Sequence, residues 1–458
     1  MTQNIPENSN ESKGKLFENR ILIKDLVNFT DKTVKICGFL HKIRNMSSKL
    51  AFVVVRDRSG LVQAVIEGEN STVEIEKLAG LQNGTILNVI AKVKKDIRST
   101  TGVELIQPSF EILNPIYTVP PIEVDKDINH NSENFDTLFE NRPVNLRNWR
   151  EGRIFKIRET MKDSIRNYLK TNDFTEFDSP KLLAGATEGG AEVFTLDYFG
   201  TTAALAQSAQ FYKQIMVGVF ERVFEINPTY RAELSFTTRH MTEFCHVDVE
   251  IGFVDNLDQV LDISQNLLKS TVSNAWEKHE NDLLSLGASR PILSDKFPRV
   301  TLDELFKLYK NETGIDDAHE KDPSPVHERF ICDYSLKNWG SEAVFVTEFP
   351  SSEMKFYHQK SSTNPDVCER ADLLFRGVEM ATVPLREHRY DVLIQQMLAA
   401  GLDPEEKGNK YYVSAFKHGL PPHGGFGMGF DRIVQKIIGL SSVKEAVLFP
   451  RDVKRLTP

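Results

Sequence analysis

The chain has 458 residues, of which 40% are hydrophobic, and this predicts two or three domains with sizeable cores. Its net charge of -9 argues against a protein coated with nucleic acid, although a local basic face for RNA stays compatible with it. The four cysteines have no CxxC spacing and there is no long apolar run, so zinc, a disulfide framework and a membrane span are not expected.

The first 16 residues are rich in Asn, Ser, Glu and Lys, and we predict a disordered tail. They carry neither an apolar leader nor an arginine-rich amphipathic pattern, so we expect a cytoplasmic protein with no membrane partner. From residue 17 to 113, five short strand-like runs are separated by turn signals, with a helical insert over Ser71 to Leu81. This pattern predicts an OB-fold β-barrel, which typically binds single-stranded nucleic acid.

Residues 114–146 are proline-rich and acidic, which predicts a linker, and residues 147–458 form the larger domain. Between Asn148 and Asn172, apolar residues recur at helical spacing and predict a long helix with one buried stripe. We expect the next strand to contain Pro180 and to lie at an edge or interface, because proline cannot donate in a ladder.

The rest of the chain lacks the regular rhythm of a doubly wound sheet. It predicts an α+β domain, with an antiparallel sheet flanked by helices. A helix is predicted from Leu257 to Leu286, and residues 323–340 are interpreted as loop and short elements.

The segment Tyr230 to Phe253 predicts two strands joined by a polar loop. The functional side chains of this hairpin are Arg231, Glu233, Arg239, His240 and Phe244. Such a hairpin suits a nucleotide, with guanidinium groups on phosphates and a ring against the base. A solvated hairpin whose charges have no such role is the alternative.

Three further stretches carry similar signals: Phe174 to Phe194, Phe375 to Arg386, and Gly424 to Leu440. Together with the hairpin they resemble class II aminoacyl-tRNA synthetases. The helix with Pro180, the YRAE hairpin and the GMGFDR strand and helix look like motifs 1, 2 and 3 of that class. The resemblance is closest to aspartyl-tRNA synthetases of the archaeal and eukaryotic type, through TEGGAEVF, LAQSAQFYKQ, TTRHMTEF and LFPRDVKRLTP, and it covers nearly the whole chain.

This resemblance implies ligation of L-aspartate to tRNA through an aspartyl-adenylate, with ATP as substrate and Mg²⁺ as cofactor. Positioning and charge stabilisation are expected to carry the catalysis, because neither step needs a protein nucleophile. Arg231 and Arg432 would act on the reacting phosphates. The residues implied for ATP binding are Arg231, Glu233, Arg239, His240, Phe244, Glu379 and Arg432. Those implied for Mg²⁺ are Asp372, Glu379 and Thr382, and structural salt bridges are the alternative role for these carboxylates.

The same resemblance implies an amino-acid pocket in which Lys213 and Arg386 hold the side-chain carboxylate of aspartate. The further residues implied for aspartate binding are Glu188, Gln210, Arg231, Asp248 and Thr382. Asparagine would leave two buried cations uncompensated, so aspartate is expected to be strongly preferred.

In the barrel, the resemblance implies that Phe52 stacks on an anticodon base and that Gln63 and Glu104 hydrogen-bond anticodon bases. A core aromatic is the alternative for Phe52. The implied partners are the aspartate tRNA, with the asparagine tRNA left open as a second acceptor, and a second copy of the chain through the region around Pro180.

One departure from the family pattern is ATVPLR, where Val383 and Pro384 replace small residues. It motivates a second hypothesis, a specialised paralogue that activates aspartate or a similar acid outside bulk translation. A third hypothesis is an RNA-binding regulator without catalysis. The presence of Arg231, Glu379, Arg386 and Arg432 argues against this third hypothesis.

Overall fold

A computed structural model describes residues 17–126, 135–185, 192–234 and 237–458. The chain divides into two compact units, Met1–Glu151 and Gly152–Pro458. The predicted tail and Glu188 lie outside the described residues. In the described part of the chain, no helix is both long enough and apolar enough to span a bilayer.

The first unit contains a closed five-stranded barrel whose strand order is 1-2-3-5-4. Its strands are β1 (Thr33–Ser47), β2 (Leu50–Asp57), β3 (Gly60–Ile66), β4 (Ile86–Lys95) and β5 (Val103–Asn114), with helix α1 (Ser71–Leu78) after β3. Alternate residues of β2, from Ala51 to Val55, point into the barrel and are at most 1% exposed. The predicted OB barrel with its helical insert is therefore confirmed.

The described part of the predicted linker belongs to the first unit and carries two short helices, α2 (Phe135–Glu140) and α3 (Arg142–Asn145). Arg142 forms a fully buried ion pair with Glu151, with 2.6 Å between guanidinium and carboxylate. This pair ties α3 to the start of the long helix α4 (Trp149–Thr171).

The second unit is built on an eight-stranded sheet. In spatial order its strands are β12 (Arg299–Thr301), β13 (Ala343–Thr347), β14 (Arg370–Phe375), β15 (Val378–Pro384), β16 (His423–Gly429), β11 (Glu243–Gly252), β10 (Arg222–Tyr230) and β6 (Thr175–Glu176). The central strands are antiparallel as predicted, whereas each edge strand pairs in parallel with its neighbour, so the sheet is mixed.

A second, three-stranded sheet and a set of helices complete this unit. The small sheet has the order β7 (Leu182–Leu183), β9 (Thr201–Leu205), β8 (Thr195–Tyr198). The helices are α5 (Gln210–Phe220), α6 (Leu257–Ser285), α7 (Leu302–Thr313), α8 (Pro325–Trp339), α9 (Tyr390–Ala399), α10 (Lys410–Lys417) and α11 (Phe430–Ile438).

The main core lies between the large sheet and the helices α4, α6 and α11. The predicted apolar stripe of α4 is fully buried in this core: Ile154, Ile157, Met161, Ile165 and Leu169. Because each of these side chains is completely enclosed, replacing one by alanine is expected to cost about 2–5 kcal/mol of unfolding free energy.

Two local predictions are wrong. Pro180 precedes β7 and is not part of a strand, because its neighbour Ser179 bonds the Glu225 carboxylate through both its N–H (2.7 Å) and its hydroxyl (2.9 Å). Most of residues 323–340 form the 15-residue helix α8 rather than a loop. Ser324 caps this helix, Pro325 begins it, and Gly340 ends it in the left-handed region at φ 68°.

Candidate functional site

A cavity of about 470 Å³ lies on one face of the large sheet in the second unit. Most of the predicted site residues line it: Gln210, Lys213, Arg231, Glu233, Arg239, His240, Phe244, Asp248, Glu379, Thr382, Arg386 and Arg432. Asp372 is buried and does not reach the cavity surface. The structure therefore brings together side chains that are more than 200 positions apart in the sequence.

Strand register places these groups in rows across the sheet. Asp248 on β11 is paired with Gly427 on β16, Gly427 with Thr382 on β15, and Thr382 with Asp372 on β14. Alternate residues of β11 face the cavity, since successive side chains of a strand point to opposite faces. One short row thus connects the end of the cavity at Lys213 with the carboxylates of β14 and β15.

At one end of the cavity, two cations and two carboxylates are packed together. Lys213 on α5 donates to the Asp248 carboxylate at 2.8 Å and to the Phe426 carbonyl at 3.0 Å. The Arg386 guanidinium binds both oxygens of Glu250, at 2.8 and 3.1 Å. All four residues are at most 2% exposed, so each charge depends on its partner.

The ionisation of this cluster follows from its pairing. Burial alone would raise the pKa of Asp248, but Lys213 and His246 outweigh it and hold that pKa far below its usual range. Burial also opposes ionisation of Glu250, and the two neighbouring cations nevertheless lower its pKa. Burial works against the charge of Arg386, whose pKa Glu250 raises. All three groups are therefore charged at neutral pH.

Glu250 was not identified from the sequence, although the signal was present. Asp248 and Glu250 are two residues apart on a strand and must face the same side of the sheet. The glycines of β16 make room for these side chains: a Cβ at Gly425 would lie 2.2 Å from a Glu250 carboxylate oxygen, and one at Gly427 2.4 Å from the His246 ring. Of these two glycines, only Gly427 lines the cavity.

Behind the cations lies a buried network of neutral polar groups. The Gln214 carbonyl accepts from the Gln210 amide at 2.8 Å and from the Tyr412 hydroxyl at 3.0 Å. The Gln214 amide is 2.8 Å from His423 Nε2, and His423 Nδ1 is 2.8 Å from the Pro421 carbonyl. Burial lowers the pKa of His423 to about 4, so this ring is neutral and accepts at Nε2. The network fixes the face of α5 that carries Lys213.

At the other end of the cavity, the hairpin β10–β11 presents the predicted nucleotide residues. Arg231 lies 3.7 Å from the Glu233 carboxylate, and its guanidinium carbon is 5.6 Å from the centre of the Phe244 ring. His240 lies 3.7 Å from the other oxygen of Glu233. Burial lowers the pKa of His240, and although Glu233 raises it, Arg432, Arg239 and Arg231 lower it further, so the ring is mainly neutral at pH 7.

Arg432 reaches the same end from helix α11, and Arg239 reaches it from the loop of the hairpin. Arg432, on α11, donates to the Glu379 carbonyl at 3.0 Å and lies 3.9 Å from its carboxylate. Arg239 donates to Glu328 on α8 at 2.8 Å, and the Glu379 N–H donates to the same Glu328 oxygen at 3.3 Å. Glu328 was missed because its helix was interpreted as a loop, although the Ser-Pro start and glycine end of α8 are helix signals.

The residues predicted for RNA contact lie in the barrel of the first unit. Phe52 points outward from β2 and is directly opposite Arg44 on β1. Gln63 on β3 also points outward, and the parallel register of β3 with β5 places it beside Glu104. Glu104 is largely buried and accepts from Lys94 at 3.0 Å. The outer surface of β1, β2 and β3 thus combines an aromatic ring, a guanidinium and an amide.

Comparison with known proteins gives two family matches. Residues 134–453 match the model of tRNA synthetases class II (D, K and N), and residues 34–113 match that of the OB-fold nucleic acid binding domain. The first match alone covers more than half of the chain. The chain belongs to the class II tRNA synthetases. The long helix α4, the hairpin β10–β11 and the pair β16–α11 occupy the positions of this synthetase's predicted motifs 1, 2 and 3.

Named relatives are similar over nearly their whole length. The aspartate–tRNA(Asp) ligase of Pyrococcus furiosus is 36% identical over 429 residues, 93% of this chain and 96% of the relative. The aspartate–tRNA(Asp/Asn) ligase of Thermus thermophilus is 37% identical over 440 residues, 96% of this chain and 100% of the relative. Asparaginyl-tRNA synthetase from Pyrococcus horikoshii, complexed with asparaginyl-adenylate, superposes with a TM-score of 0.85 at 28% identity, covering 94% of this chain and 97% of that one.

The two bulky residues of the ATVPLR stretch, Val383 and Pro384, differ in their positions. Val383 is fully buried in the main core, so its size does not reduce the cavity. Pro384 is one residue further along β15 and lines the cavity, as Arg386 does. Only Pro384 can therefore affect the shape of the site directly.

Proposed function

We propose that this synthetase ligates L-aspartate to tRNA through an aspartyl-adenylate. The observation that carries the proposal is the pair Lys213 and Arg386, two cations enclosed at one end of a cavity whose other end presents Arg231, Arg432 and Phe244. Buried cations favour a substrate with a side-chain carboxylate, because a neutral amide cannot compensate their charge. The similarity to ligases named for aspartate supports the same substrate.

In the proposed complex, Asp248 binds the α-ammonium group, and Lys213 and Arg386 hold the side-chain carboxylate. Arg231 orients the attacking carboxylate toward the α-phosphorus of ATP. Phe244 stacks on adenine, and Arg432 and His240 reach toward the terminal phosphate. Thr382 and Gln210 support the amino-acid site, and Glu233 holds Arg231 and His240 in place. Rate acceleration comes from positioning and from charge already in place.

Magnesium is part of the proposal. In the described ranges, no group of three His, Cys, Asp or Glu side chains is arranged to hold a metal. Mg²⁺ nevertheless commonly binds one or two carboxylates together with substrate phosphates, and it neutralises phosphate charge when bound. Glu379 fits this role: it is half-buried, it lines the cavity and it accepts from the Thr382 hydroxyl at 3.0 Å. Asp372 accepts from the Arg370 guanidinium at 2.6 Å. Burial raises the pKa of Asp372, Arg370 opposes this increase, and Glu379 adds to it.

The proposal includes a homodimer, in a cytoplasmic translation enzyme. The small sheet β7–β9–β8 follows Pro180 and exposes large apolar side chains, among them Leu182, Tyr198 and Phe199, the last 91% exposed. Such a surface suits coverage by a second copy of the chain. Sedimentation of the purified protein measures this directly.

ATP–pyrophosphate exchange tests the activation step. We expect exchange with L-aspartate and little with L-asparagine or L-glutamate, because asparagine lacks the charge that the two buried cations favour and glutamate is one methylene longer than aspartate. Pro384 in the cavity favours one other candidate, a paralogue that activates aspartate without charging tRNA, for which exchange would occur and charging would not. Absence of exchange with all three amino acids would contradict the proposal.

Replacing Phe52 by alanine tests the role of the barrel. Loss of one base–aromatic stack is expected to raise the KM for tRNA about tenfold in charging and to leave aspartate-dependent exchange without tRNA unchanged. Ile90→Ala is the matched control, since Ile90 is also an exposed apolar residue of the barrel, on β4. A defect in exchange, or an equal effect of both substitutions, would argue against anticodon stacking by Phe52.

Replacing Glu328 by alanine tests the position of Arg239. Only one of the five guanidinium donors of Arg239 is engaged by Glu328, so this contact orients the side chain while leaving donors for phosphate. We expect the KM for ATP to rise about tenfold with little change in the KM for aspartate, and Glu328→Gln to restore part of the affinity. Glu342→Ala, which removes the bidentate partner of Arg376 away from the cavity, is the control. An unchanged or lower KM for ATP would contradict the positioning role.

A further inference from the structure

His358 is a cavity residue to which the predicted site gave no role. It lies between β13 and β14, and its backbone forms a bridge to Arg386. The neighbouring Gln359 N–H donates to the Leu385 carbonyl at 3.0 Å, and the Gln396 amide donates to the His358 carbonyl at 3.1 Å. The main chain is therefore held on both sides of this residue, and the position of the ring is set by the fold.

The imidazole of His358 is enclosed at the edge of the cavity. The residue is 4% exposed, lines the cavity and packs against Tyr357 with 5.0 Å between ring centres. Its Nδ1 is buried, and none of the residues that the structure describes bonds to it. Leaving a buried nitrogen unpaired is unfavourable, so an occupant of the cavity that bonds to the ring would be stabilised by it.

The surroundings of the ring are cationic. Burial lowers the pKa of His358 well below its usual value, and Arg386, Arg370, Lys355 and Lys213 lower it further. A neutral imidazole has one N–H donor and one acceptor. The group closest to it in the strand register, Arg386, is the proposed holder of the substrate carboxylate.

The neighbouring cations have already used part of their donor capacity. Lys213 donates to Asp248 and to the Phe426 carbonyl, which leaves one of its three ammonium hydrogens. Arg386 uses Nε and Nη2 on Glu250. Lys213 keeps one donor and Arg386 keeps three, and a carboxylate has about four acceptor positions, so the two cations satisfy it only if every remaining donor points at it. His358 lines the same cavity and offers one further donor.

We propose that His358 is a specificity-determining residue of the amino-acid site, whose imidazole N–H donates to the side-chain carboxylate of bound aspartate beside Lys213 and Arg386. This inference rests on the proposed function, because it takes aspartate as the occupant. It adds a neutral donor to a site otherwise built from charges. A neutral donor strengthens binding of the carboxylate without adding another buried charge that needs compensation.

Two variants and one control test the inference. His358→Phe keeps a ring of similar size and removes both nitrogens, whereas His358→Asn keeps an N–H donor near the position of Nδ1. His388→Phe is the control, because His388 is a nearby histidine whose pKa is also lowered by burial but which does not line the cavity. Calorimetric titration with L-aspartate, ATP–pyrophosphate exchange and thermal unfolding are measured for all four proteins.

For His358→Phe we expect aspartate binding at least tenfold weaker, with the KM for ATP and the unfolding temperature unchanged. Selectivity for aspartate over asparagine is expected to fall by a similar factor, and His358→Asn to recover most of both losses. Unchanged aspartate affinity in His358→Phe, or a loss that Asn does not recover, would overturn the inference alone. If the unsubstituted protein neither binds nor activates aspartate, both this inference and the proposed function are wrong.

Discussion

Replacing Lys213 by alanine is expected to reduce aspartate activation about 100- to 1000-fold and to weaken selectivity against asparagine at the same time. The ammonium is the group that the side-chain carboxylate needs, and its removal leaves Asp248 and Glu250 with one cation between them. Because an uncompensated buried charge is costly, the free energy of unfolding should fall by about 3–5 kcal/mol. Exchange kinetics and urea unfolding measure the two effects.

Two further variants separate lost chemistry from lost stability. Lys213→Gln keeps an amide donor for Asp248, so it should be more stable than Lys213→Ala while remaining nearly inactive. Lys444→Ala removes the partner of Asp452, a largely buried pair 2.6 Å apart outside the cavity, and should lower stability without affecting selectivity. If Lys213→Ala kept both its activity and its preference for aspartate, the assignment of the pocket would be wrong.

Replacing Arg231 by alanine is expected to lower kcat about 100- to 1000-fold with little change in stability. The side chain is 36% exposed, so its loss should change the unfolding free energy by about 0.5 kcal/mol or less. In the proposed mechanism it orients the attacking carboxylate and stabilises the charge on the α-phosphate, a role in which one lost donor has a large effect. Single-turnover formation of adenylate measures it.

Arg222 is a close structural match for this test. Arg222 is the first residue of β10, and Arg231 is the residue that follows the last. The guanidinium carbon of Arg222 lies 5.6 Å from the centre of the Phe174 ring, and that of Arg231 lies 5.6 Å from the centre of the Phe244 ring. Arg222 does not line the cavity, so Arg222→Ala should keep full activity. Equal losses in the two variants would point to a general effect on the hairpin rather than to catalysis.

The elements that the sequence predicted well are those whose pattern is local. The alternation of buried and exposed residues defined the barrel strands, and the stripe from Ile154 to Leu169 defined α4. Helix α8 was predicted as loop and short elements, although Pro325 in its first turn and Gly340 after its last turn are typical of helix ends. Pro and Gly are consistent both with a loop and with the two ends of a helix, and only the pattern of the residues between them distinguishes the two interpretations.

Partners across the sheet could not be predicted from local pattern. The bond between Arg386 and Glu250 joins β11 to the chain just after β15, with β16 between them in the sheet order. Arg239 and Glu328 are likewise brought together by tertiary packing. Two of the cations predicted for substrate contact, Arg386 and Arg239, are thus held by carboxylates that the sequence did not identify. Residue type and order indicated which groups the site contains, whereas the fold determined which groups pair.

Charging of two separate tRNA transcripts, with aspartate and asparagine anticodons, tests the central claim most directly. With L-aspartate and ATP, we expect the purified protein to form an ester with the aspartate transcript, and the asparagine transcript then defines the range of acceptors. Stable adenylate formation with no ester on either transcript, or an ester formed with asparagine but not with aspartate, would contradict the account.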